Sequence, residues 1–197
     1  MSLFPAIIEF LICIVRYMYV NSILQSILNW HQQRHPEYRD TNEANSESII
    51  HIKTLCSDIL EPIETKFGTV KITYGYTSQP LLKYIKKNSP GDMSPNIDQH
   101  AAMALNNKGN RICKRDGASC DFYVVGYENK MDQIAKYLVK HLPYDRLYFY
   151  GKDRPVHISI GPENAQYALI RTARSDGLRV NRKSAIEMAA HTLFDNL

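Results

Sequence analysis

Ser119-Cys120-Asp121-Phe122-Tyr123-Val124-Val125 and Pro155-Val156-His157-Ile158-Ser159-Ile160 are the stretches on which the fold turns. Both alternate with a period of two, the signature of a half-buried strand. In the first, Cys120, Phe122 and Val124 point one way and Asp121, Tyr123 and Val125 the other. In the second, His157 and Ser159 share one face, and Val156, Ile158 and Ile160 take the opposite one. Each strand can bury an apolar face and present one chemically useful side chain on the other. His100, in Asn96-Ile97-Asp98-Gln99-His100-Ala101-Ala102, adds a second imidazole. Two imidazoles and a carboxylate are a usual protein set for catalytic Zn²⁺, with the fourth position left to water. His100, Asp121 and His157 are therefore the expected metal ligands.

Outward from these strands, apolar spacing organises the rest. Ile49, Ile52, Leu55, Ile59 and Ile63 recur at intervals of three and four, which predicts a helix over 49–67. Pro62 should kink or divide it, and Gly68 should stop it. Thr69 to Tyr74 reads as a strand, and Gly75-Tyr76-Thr77-Ser78 as the turn after it, with Ser78 as N-cap of a short helix. Asn88 to Asn96 reads as loop, and Asn106 to Gly117 as an exposed basic loop. A helix is expected over 128–141, with Met131, Ile134, Ala135 and Leu138 on its core face. The strand Asp145 to Gly151 should pair with the His157 strand as a hairpin. A helix is expected over 165–173, and a last one after a Ser184/Glu187 capping box.

The predicted class is α+β: a small, mainly antiparallel sheet carrying the metal site, with helices packed on it. Two parts are expected. Residues 1–45 form a helical appendage ending in a polar arm, His31 to Ser48, and residues 46–197 form the metal domain with a C-terminal helix. In that arm His31 and His35 stand four apart, but Pro36 argues that any helix ends there.

At 197 residues and 44% hydrophobic, the chain has the composition of an ordinary globular protein. Its net charge of +4 permits an anionic partner, nucleic acid included, without arguing for one. The apolar run from Leu3 to Val20 is broken by Glu9 and Arg16 and lacks the flanks of a signal peptide, so no transmembrane span is expected. A cytoplasmic location follows as an expectation, with Cys13, Cys56, Cys113 and Cys120 as reduced thiols. No CxxC pattern, HExxH, GxSxG or phosphate-binding Gly-rich loop occurs. The N-terminal helices are a candidate surface for a protein partner.

The order strand–Gly75-Tyr76-Thr77-Ser78–helix, then His100, then Gly117-Ala118-Ser119-Cys120-Asp121-Phe122, then His157, resembles the zinc D-alanyl-D-alanine carboxypeptidases. The Hedgehog signalling domain shares that zinc fold. The resemblance spans about 49–160 and implies a zinc peptidase-like hydrolase with His100, Asp121 and His157 as ligands. It also implies a carboxylate base three residues before the last His, where this chain has Arg154. Asp153, one residue further back, is then the expected catalytic base, with Asp98 and Glu163 as competitors. Arg154, Tyr76, Tyr150 and Ser78 become the expected substrate and anion contacts. A cytoplasmic enzyme would act on a small amide, peptide or related substrate rather than on the cell wall. The alternative expectation is a zinc-stabilised binding module without turnover.

Overall fold

The computed structural model describes residues 4–92, 98–175, 177, 179–195 and 197, without side chains at 4–6, 10, 12, 13, 15 and 92. The Cys13 side chain, and the part of the expected 88–96 loop beyond residue 92, therefore lie outside what is described.

Helix α1 (Phe4–Arg34) comes first, followed by α2 (Ser46–Leu55), a π-helical turn (Cys56–Leu60) and α3 (Glu61–Phe67). Asn45 caps α2 by accepting from Ser48 N at 2.8 Å. The wide turn sits just before Pro62, which has no N–H to donate and would crowd a regular helix. Gly68, at φ 100°, ends the run. The helix predicted over 49–67 is therefore one rod with a widened turn.

Strand β1 (Val70–Tyr74) and helix α4 (Gln79–Asn88) follow. A short 3-10 turn (Gln99–Ala101) carries His100. Then come β2 (Ala118–Val124), α5 (Met131–His141), β3 (Arg146–Phe149), β4 (Val156–Ile160), β5 (Tyr167–Ala173), β6 (Arg179–Ile186) and one turn of α6 (Glu187–Ala190). The class is α+β. The strands form one open sheet in the order β1-β2-β4-β3-β5-β6, antiparallel throughout except for β3 beside β5.

Two expectations are corrected. In place of the helix expected over 165–173 the structure has strand β5 from Tyr167 on, because Ala168, Leu169 and Ile170 fill an interior position of the sheet beside β3. Ser184 lies in β6 and caps nothing, so the C-terminal helix shrinks to a single turn.

One face of the sheet is the core. Cys120, Phe122, Val156, Ile158, Leu147, Phe149 and Ala168 are buried there beneath α2 and α5. The second half of α1 joins the same core through Ile23, Leu24 and Ile27. Trp30 Nε1 donates to Tyr76 O at 2.8 Å, and Tyr76 N donates to Ile27 O at 3.0 Å. Gly75 permits this approach: a Cβ there would lie 2.2 Å from Ile27 O. The first half of α1 differs, exposing Ile7, Leu11, Ile14, Tyr17 and Met18. Packing thus continues across the boundary expected near residue 45. No helix among the described residues is long and apolar enough to cross a membrane.

Candidate metal centre

The other face of the sheet carries the chemistry. Asp121 and His157 are direct register partners on β2 and β4, so the period of two places both side chains on that face. The register depends on Gly117. Its φ is 118°, and a Cβ there would lie 1.9 Å from Ile160 O, so only glycine lets β2 start this close to the end of β4. His100 arrives from the 3-10 turn, held by Thr77 N donating to His100 O at 2.9 Å. Asp98 caps that turn, accepting from His100 N at 3.2 Å. A bulge between Ile72 and Tyr74 re-aims β1, and Tyr74 meets the His100 ring edge-on at 4.6 Å.

Four side chains converge. Asp121 Oδ1 lies 2.8 Å from His157 Nδ1 and 3.3 Å from His100 Nε2. Asp98 Oδ2 lies 3.5 Å from His157 Nε2, and its Oδ1 lies 3.8 Å from His100 Nε2. Single ligand atoms of Asp98, His100 and His157 all fall within 4.8 Å of one another, so this group could hold a metal ion. Asp121 bridges the same two imidazoles. His157 is 2% exposed and its Nε2 has no hydrogen-bond partner, and His100 Nδ1 is likewise unpartnered. A buried, unpartnered imidazole nitrogen facing a carboxylate fits a cation in chemistry and in position.

Electrostatics agree. Burial works against a charge on His100, but the carboxylates of Asp98 and Asp121 outweigh it and raise its pKa above the ordinary value. Burial would raise both aspartates. The two histidines outweigh it, and both carboxyls sit below the ordinary range. The pocket favours separated charge: carboxylates ionised and the His100 imidazole drawn towards protonation, a charge that a bound cation would replace. Tyr148 stacks on His157 at 4.7 Å and 11°, fixing its ring plane.

The remaining expected site residues are scattered. Asp153 and Arg154 are exposed on the β3–β4 connection, where Asp153 O accepts from the Tyr123 hydroxyl at 2.7 Å. Tyr76 is buried in the core, its hydroxyl donating to Glu43 O at 3.2 Å. Ser78 is buried at the start of α4 and gives α4 no side-chain cap. Glu163 is exposed and paired with Arg146 at 2.8 Å. Tyr150 is half-buried, within electrostatic reach of Asp98 and Asp121. Asp98 is the member the sequence placed only as a competing base. Its signal was the Asp-x-His spacing, which sets it within one turn of His100. Cys56, Cys113 and Cys120 are free and buried.

No protein-family model matches the chain, and no curated protein or solved structure is significantly similar to it.

Proposed function

We propose that the chain is a zinc-dependent hydrolase of the D-alanyl-D-alanine carboxypeptidase type, acting on an amide, peptide or related small substrate. The observation that carries this reading is the convergence of His100 Nε2 and His157 Nδ1 on Asp121 Oδ1, at 3.3 and 2.8 Å. In the proposal His100, Asp121 and His157 hold the ion through His100 Nε2, Asp121 Oδ1 and His157 Nδ1, the atoms that already converge on Asp121. Zinc bound there would polarise the scissile carbonyl and acidify a water. Asp98 would serve as the general base, accepting a proton from a water and returning it to the leaving group. Its place beside both imidazoles, held by His100 N, suits the role better than exposed Asp153. Tyr148 keeps the His157 ring in plane throughout.

The alternative reading, a zinc-stabilised binding module, is favoured by a different use of Asp98. If Asp98 is itself a ligand with His100 and His157, the other carboxylate beside them, Asp121, is engaged by His157 Nδ1 at 2.8 Å and is not free to act as base.

Elemental analysis of the purified chain, together with hydrolysis of a panel of N-acyl dipeptides and esters, separates these readings. We expect close to one zinc per chain, lost in His100→Ala and His157→Ala. We expect Asp98→Asn to keep its zinc while turnover falls by about 10²–10⁴-fold. Zinc loss in Asp98→Asn equal to that in His157→Ala, with no turnover by the parent, would select the module. Less than half an equivalent of zinc in the parent after zinc-replete expression would reject both.

A further inference from the structure

One register row crosses the metal-bearing face of the sheet. Asp121 opposes His157, His157 opposes Tyr148, Tyr148 stands beside Leu169, and Leu169 opposes Ser184. Paired residues of neighbouring strands share a face, so the metal centre and this part of the β5–β6 ribbon look out on the same side. One step further along β5, the same period of two brings Arg171 onto that face.

A bulge decides what stands beside it. Ile170 opposes Lys183 but Arg171 opposes Asn181, so β6 holds one extra residue there. Ser184 and Asn181 are three apart and in a regular strand would face opposite sides. The bulge resets the phase and turns Asn181, and with it Arg179, towards the side of Arg171. Lys183 keeps the opposite face. Arg171 and Arg179 are then diagonal neighbours, about 7–8 Å apart at the backbone and within reach of one another's long side chains. Arg179 is exposed, and its guanidinium lies 4.3 Å over the Tyr150 ring, a contact that leaves N–H groups at its edge for an anion. Arg171 is half-buried, and among the described residues its buried Nε has no hydrogen-bond partner. Tyr150 feels both ends of this face: burial, then Asp121 and Asp98, raise its pKa against the opposing pull of Arg179 and Arg171.

We infer that Arg171 and Arg179 bind the phosphate group of a ligand whose other end lies at the metal centre. Two guanidiniums bring two positive charges. A phosphate monoester matches them with about two negative charges and three strong acceptor oxygens, whereas a carboxylate brings one charge. Planar guanidinium forks meet phosphate oxygens two at a time. Strand β5 lies two strand spacings from β4, about 10 Å, with Tyr148, Leu169 and Tyr150 as the floor between. The phosphate therefore sits roughly that far from the imidazoles, and the part of the ligand that links the two ends rests on aromatic rings. The inference rests on the hydrolase reading only for the rest of the substrate, which with that reading becomes a phosphate-bearing amide or peptide.

Isothermal titration of the full chain with inorganic phosphate, phenyl phosphate and benzoate tests the inference. EDTA is present throughout, so that no probe is held by a metal ion. We expect both phosphates to bind, and benzoate to bind at least about tenfold more weakly than phenyl phosphate. Arg171→Gln and Arg179→Gln should each weaken phenyl phosphate by about tenfold or more, the loss expected for charge-assisted hydrogen bonds. Arg179→Lys should recover only part of it, because an ammonium cannot bind two oxygens in a plane. Lys183→Gln, on the other face of the same strand, should change nothing. Circular dichroism checks each fold; should half-buried Arg171→Gln misfold, exposed Arg179→Gln still decides. Co-sedimentation with phosphatidic acid vesicles tells a lipid headgroup from a soluble phosphate: capture that is lost in Arg179→Gln supports the inference and assigns the phosphate to a lipid. Phosphate binding without turnover of any amide would remove the hydrolase reading and leave this one standing. No binding of either phosphate, equal binding of benzoate, or full binding by Arg179→Gln would each overturn it.

Discussion

Asp121 Oδ1 sits 2.8 Å from His157 Nδ1, across two neighbouring antiparallel strands whose residues 121 and 157 are direct register partners. A carboxylate so placed fixes the tautomer and tilt of the imidazole, whether it acts as a ligand or as a partner behind one. The relationship is set by backbone pairing, so perturbing the pairing should perturb the site.

Gly117→Ala tests that link. The added methyl meets Ile160 O in a backbone conformation that L side chains rarely adopt. We expect a loss of about 2–4 kcal/mol in stability. For a chain of this size that lowers the melting temperature by roughly 4–16 °C. Zinc content should fall with it, and a variant with unchanged melting and full zinc would show that the register does not depend on this glycine.

Tyr148 offers a subtler probe. Its ring stacks face to face on His157, 4.7 Å between centroids. Tyr148→Phe should leave zinc affinity unchanged, whereas Tyr148→Ala should weaken it by about 10-fold, the lower end of effects seen for groups that orient ligands. Competition against a chromogenic chelator measures both.

Proton linkage gives opposite signs to the two kinds of group. Asp121 has a lowered pKa in the fold, so its contribution to stability is present above about pH 4 and lost as pH falls through the lower folded value. His100 has a raised pKa, so its contribution is complete below about pH 6.5 and lost as pH rises through the folded value. A cation needs His100 neutral, so zinc competes with the proton. The zinc-induced rise in melting temperature should therefore grow from pH 5 to pH 8, by thermal melts with and without EDTA. A rise independent of pH would remove His100 from the ligand set.

Truncation separates the two halves of α1. Among described contacts, removing residues 1–17 costs the exposed Arg16–Glu61 pair at 2.9 Å, worth at most about 1 kcal/mol. Removing 1–45 deletes Ile23, Leu24, Ile27 and Trp30 from the core, where one large-to-small change typically costs about 2–5 kcal/mol. We expect the shorter deletion to keep zinc and cooperative melting, and the longer one to lose both.

Strands β2 and β4 were legible because each has one face in the core and one carrying polar chemistry, the condition under which a period of two is visible. Strand β5 was not, because Ala168, Leu169 and Ile170 are all buried and a continuous apolar run does not distinguish strand from helix. The arm at 31–48 read as a solvated connection, yet Asn42 is tied in by side-chain bonds to Leu28 O, Tyr76 O and Ser78 N. Polar composition tells nothing of such long-range bonds. Asp153 looked like a base from its distance along the chain, but the β3–β4 connection turns it out to solvent. Asp98 reaches the imidazoles through a cap on a short turn, a local geometry that sequence spacing suggests only weakly.

The sheet order also has a consequence for how the chain assembles. Strands β2 and β4 are neighbours in space but not in sequence, with α5 and β3 emerging between them. Closing so long a loop costs entropy before any contact repays it. The His157 imidazole and the Asp121 carboxylate therefore meet only once β4 has paired with β2. A cation captured by all of them would report a finished sheet, and it would slow the reverse step by binding a constellation that no partly folded chain presents.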